Sequence, residues 1–338
     1  MKTTILITGL GVGGAEKFLS KLLPIKNVDV VSITGLNDVG RELEKKGVQV
    51  TYLNEGLDVK LFRTIFRLRK HLKKNNISQL MTFLIHADLL GRLVAKLVGI
   101  RVICNIRNDY SKISRLYLLD KFSRFFVSKY VVNNVGLKSY MDKIGVKKYV
   151  VISNAVSLES LLKSAKQGFK KSVGVSKKVI TCVARLEPQK DHKTLIKAMA
   201  HLPDAELVLV GEGSLRKELE FLASELNVGV HFLGKRDDVS SILLESDVFV
   251  LPSTTEGMSN ALLEAMSFGL PCVVSNIPQN TSLIRHEENG LVFEAQNSKD
   301  LAKKISQAKK SHGKLAAKTV KENYDIEVIK KKYLEILK

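Results

Sequence analysis

The sequence predicts an α/β fold made of two doubly wound, Rossmann-like domains. Short, continuous apolar runs alternate with amphipathic helical stretches along the chain. Continuous apolar strands between helices are typical of a parallel sheet that is covered on both faces. This alternation occurs twice, before and after a stretch rich in Ser, Lys and Gly at residues 155–177. Because 338 residues exceed the size at which one hydrophobic core stops growing, two domains are expected.

The apolar runs give the order of the predicted strands. Those of the first sheet are residues 4–8, 28–33, 48–53, 80–84, 102–106 and 130–132. Those of the second are residues 179–184, 206–210, 230–233, 248–251 and 272–275. The predicted domains are residues 1–157 and 158–322, with the interdomain linker around residues 155–177. A final helical stretch, residues 323–338, has no strand after it and could pack back on either domain, including the N-terminal one. Ligands are expected at the carboxyl ends of the strands.

Composition limits the compartment and the class of protein. The three cysteines lie far apart, without the pairing that a disulfide framework or a zinc site needs, so a reducing compartment is expected. The N-terminal apolar run breaks into a glycine turn and lacks the cleavage site of a signal peptide. The least polar window of spanning length, residues 80–100, contains His86, Asp88, Arg92 and Lys96, a pattern wrong for a transmembrane helix. The expectation is a cytoplasmic protein, soluble or peripheral.

Positive charge is concentrated in the first half of the chain. The net charge is +20, and residues 1–157 carry 27 Lys and Arg against 11 Asp and Glu. Such asymmetry predicts a polyanionic partner, which could be a membrane surface, a lipid diphosphate or nucleic acid. The sequence has no aromatic-interleaved recognition motif and no zinc spacing, so nucleic acid is not the expected partner.

The segment from 252 to 275 is the most informative part of the sequence. It reads as a strand end, a polar turn, a helix from about Met258, a glycine stop and a further strand. Glu256 precedes the helix, and Glu264 lies inside it, so both can border one cleft. Four residues occupy the predicted helix start, where free N–H groups and the positive dipole end suit an anion: Gly257, Met258, Ser259 and Asn260. The alternative is a helix with Glu256 near its N-terminus for capping and Glu264 on a solvated face.

This segment resembles the Glu-x7-Glu region of glycosyltransferase family four, the retaining transferases with the GT-B fold. Four further segments extend the resemblance in the family's order and spacing: VARLEPQKDHKTLIKAM, LVLVGEGSLRKELE, FLGKRDDV and ENGLVFE. The resemblance implies two Rossmann-like domains that face each other across a cleft. It also implies a retaining transferase whose donor is a nucleotide diphosphosugar, with a UDP-sugar as the expected donor.

The resemblance implies roles for the charged residues. Glu256 is expected to act in catalysis by hydrogen-bonding hydroxyls of the donor sugar, and Glu264 to hold the ribose. Arg185 and Lys190 are expected to neutralise the donor diphosphate, which gains negative charge as it departs. No Asp-x-Asp occurs in the sequence, so neither a metal nor another cofactor is expected, and the paired cations replace the metal. Taken singly, Arg185 or Lys190 could be a solvated surface charge.

Two further turns match donor-binding loops of the family. Gly211 and Gly213 match a glycine-rich turn under the nucleotide. Lys235 and Arg236, in the turn after the third strand of the second domain, match the loop that binds the base. The alternative is that these residues only form the turns that follow the strands and bind no ligand.

The first glycine turn permits two interpretations. Gly9, Gly11 and Gly14 form a G-x-G-x-x-G between a strand and a helix, which is typical of dinucleotide binding. A dehydrogenase also needs an acid at the end of the second strand, and Asp38 comes later, in a probable loop. The family resemblance instead assigns Gly13 and Gly14 to a loop whose amides approach the donor phosphates.

Polar residues follow two strands of the first domain. His86 follows the fourth strand, where the family often places a histidine that contacts the donor sugar or the reacting centre; a structural hydrogen-bonding role is the alternative. Arg107, Asn108 and Asp109 follow the fifth strand and are expected to face the acceptor. Asn154 matches an asparagine at the end of the family's first domain, where a turn role is expected.

Two helical segments of the first domain are candidates for membrane contact. The segment from 58 to 76 carries a basic stripe beside an apolar stripe formed by Leu61, Ile65, Leu68 and Leu72. The basic stripe consists of Lys60, Arg63, Arg67, Lys70 and Lys74. The segment from 112 to 129 adds cations and aromatics, namely Arg115, Phe122, Arg124, Phe125 and Phe126. A basic helix with aromatic residues can lie in the headgroup layer of an anionic membrane. The alternative is that both helices only cover the sheet.

The leading hypothesis is therefore a retaining glycosyltransferase of cell-surface polysaccharide synthesis. It would move a sugar from a UDP-sugar to a glycan or a lipid-linked glycan on the inner face of the cytoplasmic membrane. Three alternatives stay open: a non-hydrolysing nucleotide-sugar epimerase of the same fold, an NAD-dependent oxidoreductase, and a basic, non-enzymatic protein that binds nucleic acid or membranes.

Overall fold

The computed structural model of the protein describes residues 1–11, 13–35, 38–54, 60–111 and 113–338. The chain divides into two compact units, one formed by Met1–Asn154 with Ile329–Lys338 and the other by Ala155–Val328. The division thus falls after Asn154, whereas the sequence placed it after residue 157. Of the final helical stretch, residues 323–328 belong to the second unit and residues 329–338 to the first, so the division at Ile329 cuts through the last helix.

The first unit is a seven-stranded parallel sheet with strand order β3-β2-β1-β4-β5-β6-β7. Its strands are β1 (Thr3–Ile7), β2 (Val28–Ser32), β3 (Val50–Tyr52), β4 (Gln79–Phe83), β5 (Arg101–Ile106), β6 (Lys129–Val132) and β7 (Val150–Val151). Its helices are α1 (Gly14–Leu22), α2 (Asp38–Lys45), α3 (Leu61–Lys74), α4 (Ile85–Val98), α5 (Ser114–Ser123) and α6 (Lys138–Lys143). A 3-10 turn, Arg124–Phe126, follows α5 directly.

The second unit is a six-stranded parallel sheet with strand order β10-β9-β8-β11-β12-β13. Its strands are β8 (Lys178–Val183), β9 (Ala205–Val210), β10 (Val230–Phe232), β11 (Val248–Leu251), β12 (Cys272–Ser275) and β13 (Leu291–Phe293). Its helices begin with α7 (Leu158–Ser164), α8 (Phe169–Val173), α9 (His192–Met199), α10 (Arg216–Glu225), α11 (Val239–Leu244) and α12 (Asn260–Ser267). They continue with α13 (Pro278–Thr281), α14 (Ser298–Gln307), α15 (Lys310–Asn323) and α16 (Ile326–Leu337), whose last residues belong to the first unit.

Both sheets are doubly wound, as the sequence predicts. The central strands are mostly apolar because helices cover them on both faces, and every residue of β1, β4 and β11 is buried. In each sheet the strand order reverses at one point, between β1 and β4 in the first unit and between β8 and β11 in the second. The carboxyl ends of strands at such a switch point form the usual ligand crevice of this fold class.

The predicted linker is folded. Residues 155–177 lie in the second unit and contain α7 and α8. Ser157 caps α7 by accepting a hydrogen bond from the Ser160 amide, and Phe169 is buried with Val175 and Val208 in a hydrophobic cluster. The Ser, Lys and Gly content of this stretch therefore reflects short, exposed helices rather than a connecting coil. In the parts of the chain that the structure describes, no helix is both long and apolar enough to cross a bilayer.

Candidate active site

The strongest candidate site lies at the switch point of the second unit, at the carboxyl ends of β8 and β11. Arg185 follows β8 and is exposed, and Lys190 ends the short 3-10 turn that comes after it. Glu256 lies in the loop between β11 and α12. Since β8 and β11 are hydrogen-bonded neighbours, the loops that follow them meet at the same edge of the sheet.

Lys190 and Glu256 form an ion pair, with Lys190 Nζ 2.6 Å from Glu256 Oε1. The side chains are only 16% and 7% exposed, so water screens their attraction weakly. The Ser253 hydroxyl donates to the same carboxylate oxygen at 2.7 Å. The backbone N–H of Thr254 donates to the Gln189 carbonyl at 2.9 Å, which joins the two loops. The structure thus brings together two residues that the sequence assigned to one site.

The turn that carries Lys190 is held by two residues to which the sequence analysis gave no role. Asp191 has a left-handed backbone (φ 48°) and caps α9 by accepting from the Thr194 amide. His192 is buried, and burial lowers its pKa to about 4. The imidazole is therefore neutral at pH 7 and adds no positive charge beside Lys190. Both residues lie inside a segment that carries the family resemblance, but a histidine in an apolar helix start gives no distinctive local signal.

Gly211 and Gly213 let the turn after β9 pack against the segment that carries Arg185. Gly211 has φ 139°, and a Cβ at this position would overlap the Ala184 carbonyl. A Cβ on Gly213 would overlap the Leu186 carbonyl in the same way. These two predicted residues are therefore required for backbone-to-backbone contact beside Arg185.

Helix α12 begins at Asn260, two residues later than the sequence indicated. Ser259 is its N-cap, and its hydroxyl accepts from the Leu262 amide at 3.2 Å. Gly257 and Met258 therefore lie in the loop before the helix. Glu264 is half-buried in the second turn of α12. Ser259, and not Glu256, performs the capping that the alternative interpretation had assigned to Glu256.

Lys235 and Arg236 follow Gly234, which has a left-handed backbone (φ 67°). The Arg236 guanidinium donates two hydrogen bonds to Asp238, at 2.8 and 2.7 Å. This pairing turns Arg236 along its own loop, and Lys235 is exposed. In the described residues there is no group of three or more His, Cys, Asp or Glu that could hold a metal ion.

The candidate donor loop of the first unit lies at the start of α1. Gly13 is the N-cap of the helix and Gly14 its first residue. A Cβ on Gly13 would overlap the Glu16 carboxylate, which folds back over the turn. Burial raises the pKa of Glu16. Because the Glu16 side chain can turn away, this contact does not by itself require a glycine at position 13. The neighbouring position 12 lies outside the described residues.

His86 lies in the first turn of α4, just after β4, and is exposed. Leu84, the residue before the helix, has φ 75°, a conformation that is rare for a leucine. Backbone strain of this kind is concentrated at functional sites. His86 is thus placed at the switch point of the first sheet and is accessible to a ligand.

Arg107, predicted to face the acceptor, is a buried residue in the structure. It is 5% exposed, and its guanidinium lies 4.4 Å from the centroid of the Phe18 ring. Its Nη2 donates to the side-chain oxygen of Asn154. The adjacent Asn108 and Asp109 are exposed, and Asp109 accepts from the Ser111 amide at 2.7 Å. Of the three residues that follow the fifth strand, Asn108 and Asp109 are therefore accessible to a ligand, whereas Arg107 is buried.

The basic stripe on α3 is divided between two environments. Lys60 and Arg63 are exposed, whereas Arg67 is half-buried and donates to the Leu53 carbonyl. Arg67, Lys70 and Lys74 line a cleft of about 510 Å³ beside the edge strand β3. The start of the predicted segment, including Asp58, lies outside the described residues.

The apolar side of α3 differs from the prediction. Leu68 and Leu72 are buried as the periodicity indicates, but Leu61 is largely exposed. Phe62 and Phe66, which the sequence analysis did not consider, are 88% and 66% exposed.

A second exposed apolar area is formed by α5 and the 3-10 turn after it. Phe122 and Phe125 are 72% and 75% exposed, and Phe126 is also exposed. The Arg124 guanidinium lies 4.3 Å from the centroid of the Phe125 ring, and Arg115, in the first turn of α5, is exposed. Lys112 lies outside the described residues. Exposed apolar patches of this kind mark interaction surfaces.

Comparison with known proteins gives the family. The model described as "Glycosyl transferases group 1" matches residues 146–325, a range that contains the site around Lys190 and Glu256. The chain belongs to this family. It is a glycosyltransferase, and its two doubly wound units are those of the GT-B fold.

Relatives of this transferase include two enzymes named for lipid-linked substrates. The UDP-Gal:alpha-D-GlcNAc-diphosphoundecaprenol alpha-1,3-galactosyltransferase of Escherichia coli is 32% identical over 70% of this chain and 67% of that enzyme. The N,N'-diacetylbacillosaminyl-diphospho-undecaprenol alpha-1,3-N-acetylgalactosaminyltransferase of Campylobacter jejuni is 31% identical over 64% of this chain and 62% of that enzyme. The matched regions thus span about two thirds of each relative.

Among solved structures, HepE from Anabaena in complex with UDP shares the fold of the transferase. Its TM-score is 0.88, and the alignment covers 100% of this chain and 99% of HepE at 19% sequence identity.

Proposed function

We propose that the transferase is a retaining enzyme of glycosyltransferase family four that moves a sugar from a UDP-sugar to a lipid-linked glycan in cell-surface polysaccharide synthesis. The observation that carries the proposal is the buried Lys190–Glu256 pair at the switch point of the second sheet. A lipid-linked acceptor is supported by two relatives named for diphosphoundecaprenol-linked substrates. A UDP donor is supported by the galactosyltransferase named for UDP-Gal and by the bound UDP in HepE.

The proposed chemistry follows from charge. When the bond between sugar and diphosphate breaks, the departing diphosphate gains negative charge. Lys190 and Arg185 are the cations proposed to stabilise it, and the low exposure of Lys190 strengthens this interaction. No metal or cofactor is invoked, and the backbone around Gly211 and Gly213 supplies a close turn beside Arg185.

Glu256 is proposed to orient the donor sugar. Within the described residues, both of its side-chain hydrogen bonds go to Oε1, from Lys190 and Ser253. Oε2 is therefore available to accept from a sugar hydroxyl, while Oε1 fixes the carboxylate. Glu264 is proposed to hold the ribose, and departure and attack on the same face of the sugar to give retention. His86, Asn108 and Asp109 remain candidates for contact with the sugar or the acceptor.

The activity test uses purified enzyme, a panel of UDP-, GDP- and ADP-sugars and a synthetic diphospholipid-linked acceptor. We expect one UDP-sugar to give an α-linked product, identified by mass spectrometry and by the anomeric NMR coupling. Glu256→Gln should abolish transfer, whereas the exposed Glu225→Gln should retain it. Release of a free epimer without acceptor would instead favour the epimerase, and no UDP binding at millimolar concentration would overturn the donor assignment.

We also propose that the enzyme contacts an anionic membrane surface from the cytoplasmic side, without nucleic acid as a partner. The first-unit surface combines exposed aromatics on α3 and α5 with the cations of the basic stripe. Each cation near an anionic surface contributes on the order of 1 kcal/mol, and aromatic rings favour the headgroup layer. Access to a lipid-linked acceptor would be favoured by this contact.

The membrane test is co-flotation with vesicles containing anionic or only zwitterionic lipids. Replacing Phe122, Phe125 and Phe126 with serine should reduce binding to anionic vesicles, and so should replacing Lys60, Arg63, Lys70 and Lys74 with glutamine. The matched controls are Phe221→Ser and a second-unit glutamine variant of Lys217, Lys299, Lys303 and Lys310, all of which are exposed. Equal loss in test and control variants would overturn the assignment of this surface.

A further inference from the structure

The chain passes twice between its two units. It leaves the first unit after Asn154 and returns to it at Ile329, within α16. Two short segments therefore carry every covalent connection between the units. Each segment is held at both of its ends by contacts with residues of the unit that it enters or leaves.

In the first unit, Arg107 is linked to both segments. Its Nη2 donates to the side-chain oxygen of Asn154, the last residue before the chain leaves. Tyr333, on the returning part of α16, packs its ring against Phe18, the ring over which the same guanidinium lies. Tyr333 is completely buried, and its hydroxyl also accepts from Asn105 Nδ2 at 2.8 Å. Through Phe18, one side chain thus connects the point of exit with the helix that returns.

The surroundings of Arg107 hold the guanidinium in place. It lies 4.4 Å from the centroid of the Phe18 ring and 5.7 Å from that of Phe83. The Tyr333 ring packs against Phe18 at a centroid distance of 5.6 Å, which closes the cluster. A buried cation is costly unless its partners satisfy it. The cluster is therefore not a general feature of the core but a specific arrangement around these two segments.

In the second unit, the two segments are bonded to each other. The Val156 amide donates to the Tyr324 carbonyl at 3.0 Å, and the Ile326 amide donates to the Val156 carbonyl at 2.8 Å. Only Ala155 on the outgoing segment and residues 327–328 on the returning segment lie between these bonds and the first unit.

We propose that Arg107 is a positioning residue that fixes both connecting segments in the first unit, where it sets the spacing of Asn154 and Tyr333. It touches no substrate. Loss of the guanidinium frees the two segments from each other at one end, while the Val156 bonds hold them at the other. The contacts that hold the two segments in the first unit then break more often. The rate of sugar transfer falls because group transfer depends on accurate placement of the reacting groups.

The decisive measurement is hydrogen–deuterium exchange in the full-length transferase. Arg107→Met is compared with Arg92→Met, which removes another fully buried guanidinium of the same unit. Arg92 contacts Asp120 and Ser123 and lies apart from the two segments. We expect exchange at residues 153–154 and 329–333, on the first-unit side of the Val156 bonds, to be roughly tenfold faster in the Arg107 variant only. Equal exchange at these residues in both variants would overturn the proposal.

A milder variant keeps the test valid if Arg107→Met does not fold. Tyr333→Phe removes only the hydroxyl and should accelerate exchange at the same residues by a smaller factor. The proposal would also be overturned if neither Tyr333→Phe nor Arg107→Lys changed the exchange pattern. Lysine keeps the charge but lacks the planar guanidinium that lies over the Phe18 ring, so it should restore protection from exchange only in part.

Kinetics give a second readout. Lys190 and Glu256 lie in the second unit, so UDP affinity measured by calorimetry should stay within about twofold in Arg107→Lys, whereas kcat should fall by roughly tenfold or more. A raised Kd for UDP with unchanged kcat would contradict a positioning role. The exchange measurement needs no substrate, so its outcome is independent of whether the proposed donor and acceptor are correct.

Discussion

Replacing Lys190 with methionine removes the cation of the ion pair with Glu256 and keeps a side chain of similar length. Among the residues that the structure describes, the carboxylate, 7% exposed, then keeps the Ser253 hydroxyl as its one side-chain hydrogen-bond partner. Breaking a buried pair by removing one member costs about 3–5 kcal/mol, and the partial exposure of Lys190 favours the lower value. With about 3 kcal/mol lost, a domain of this size should unfold roughly 6–12 °C earlier.

The double variant Lys190→Met with Glu256→Gln separates charge from packing. With both charges absent, no uncompensated carboxylate remains, so most of the lost stability should return. Thermal unfolding is followed by circular dichroism for the wild type, Lys190→Met, Glu256→Gln and the double variant. The control is Lys163→Met, which breaks the pair of Lys163 with Glu159; both side chains are largely exposed, so no measurable change is expected.

The same variants test the proposed catalytic roles. Lys190→Met should raise the KM for the donor, because the diphosphate loses a cation. If Lys190→Met unfolds at the wild-type temperature, or if the double variant is no more stable than the single one, the reasoning from the buried pair is refuted.

Two further predictions concern residues around this pair. Burial lowers the pKa of His192 to about 4, below its usual 6.5, so the unfolded chain binds more protons than the folded chain between these pH values. The free energy of unfolding should therefore fall as the pH drops from 6.5 to 4. His192→Gln should flatten this part of the plot of unfolding temperature against pH. Gly211→Ala should destabilise the second unit because a Cβ overlaps the Ala184 carbonyl. Gly168→Ala, which also has a positive φ but no atom within 4 Å of the added Cβ, should cost less in thermal unfolding.

The regular parts of the fold could be predicted from the sequence because the strands are buried on both faces. β11, for example, is a continuous apolar run of four buried residues. β7 was missed because it has only two residues, too few for a pattern to emerge. β13 was missed although β10, which also has three residues, was predicted. The stretch around Phe169 was taken for a linker because only the tertiary structure buries this phenylalanine against Val208 and Val210.

The candidate site was predictable to the extent that it depends on loops after neighbouring strands. The proximity of Lys190 and Glu256 follows from the sheet order together with the family resemblance. Arg107 occupies the same kind of position, yet its surroundings come from Phe18, Phe83 and Tyr333, which are distant in sequence. A local pattern cannot reveal that such a side chain is buried. Phe62 was overlooked for the opposite reason, since an aromatic residue in an amphipathic helix is normally expected to face the core.

The exposed phenylalanines of α5 have a consequence for how the transferase behaves in solution. Molecules that each carry a net charge of +20 repel one another at low ionic strength, and this repulsion keeps the apolar faces around Phe122 and Phe125 apart. At 1 M salt the screening length falls to about 3 Å, so the repulsion vanishes while apolar attraction persists. Light scattering should therefore detect self-association that increases with added salt, the reverse of the behaviour of an aggregate held together by ion pairs.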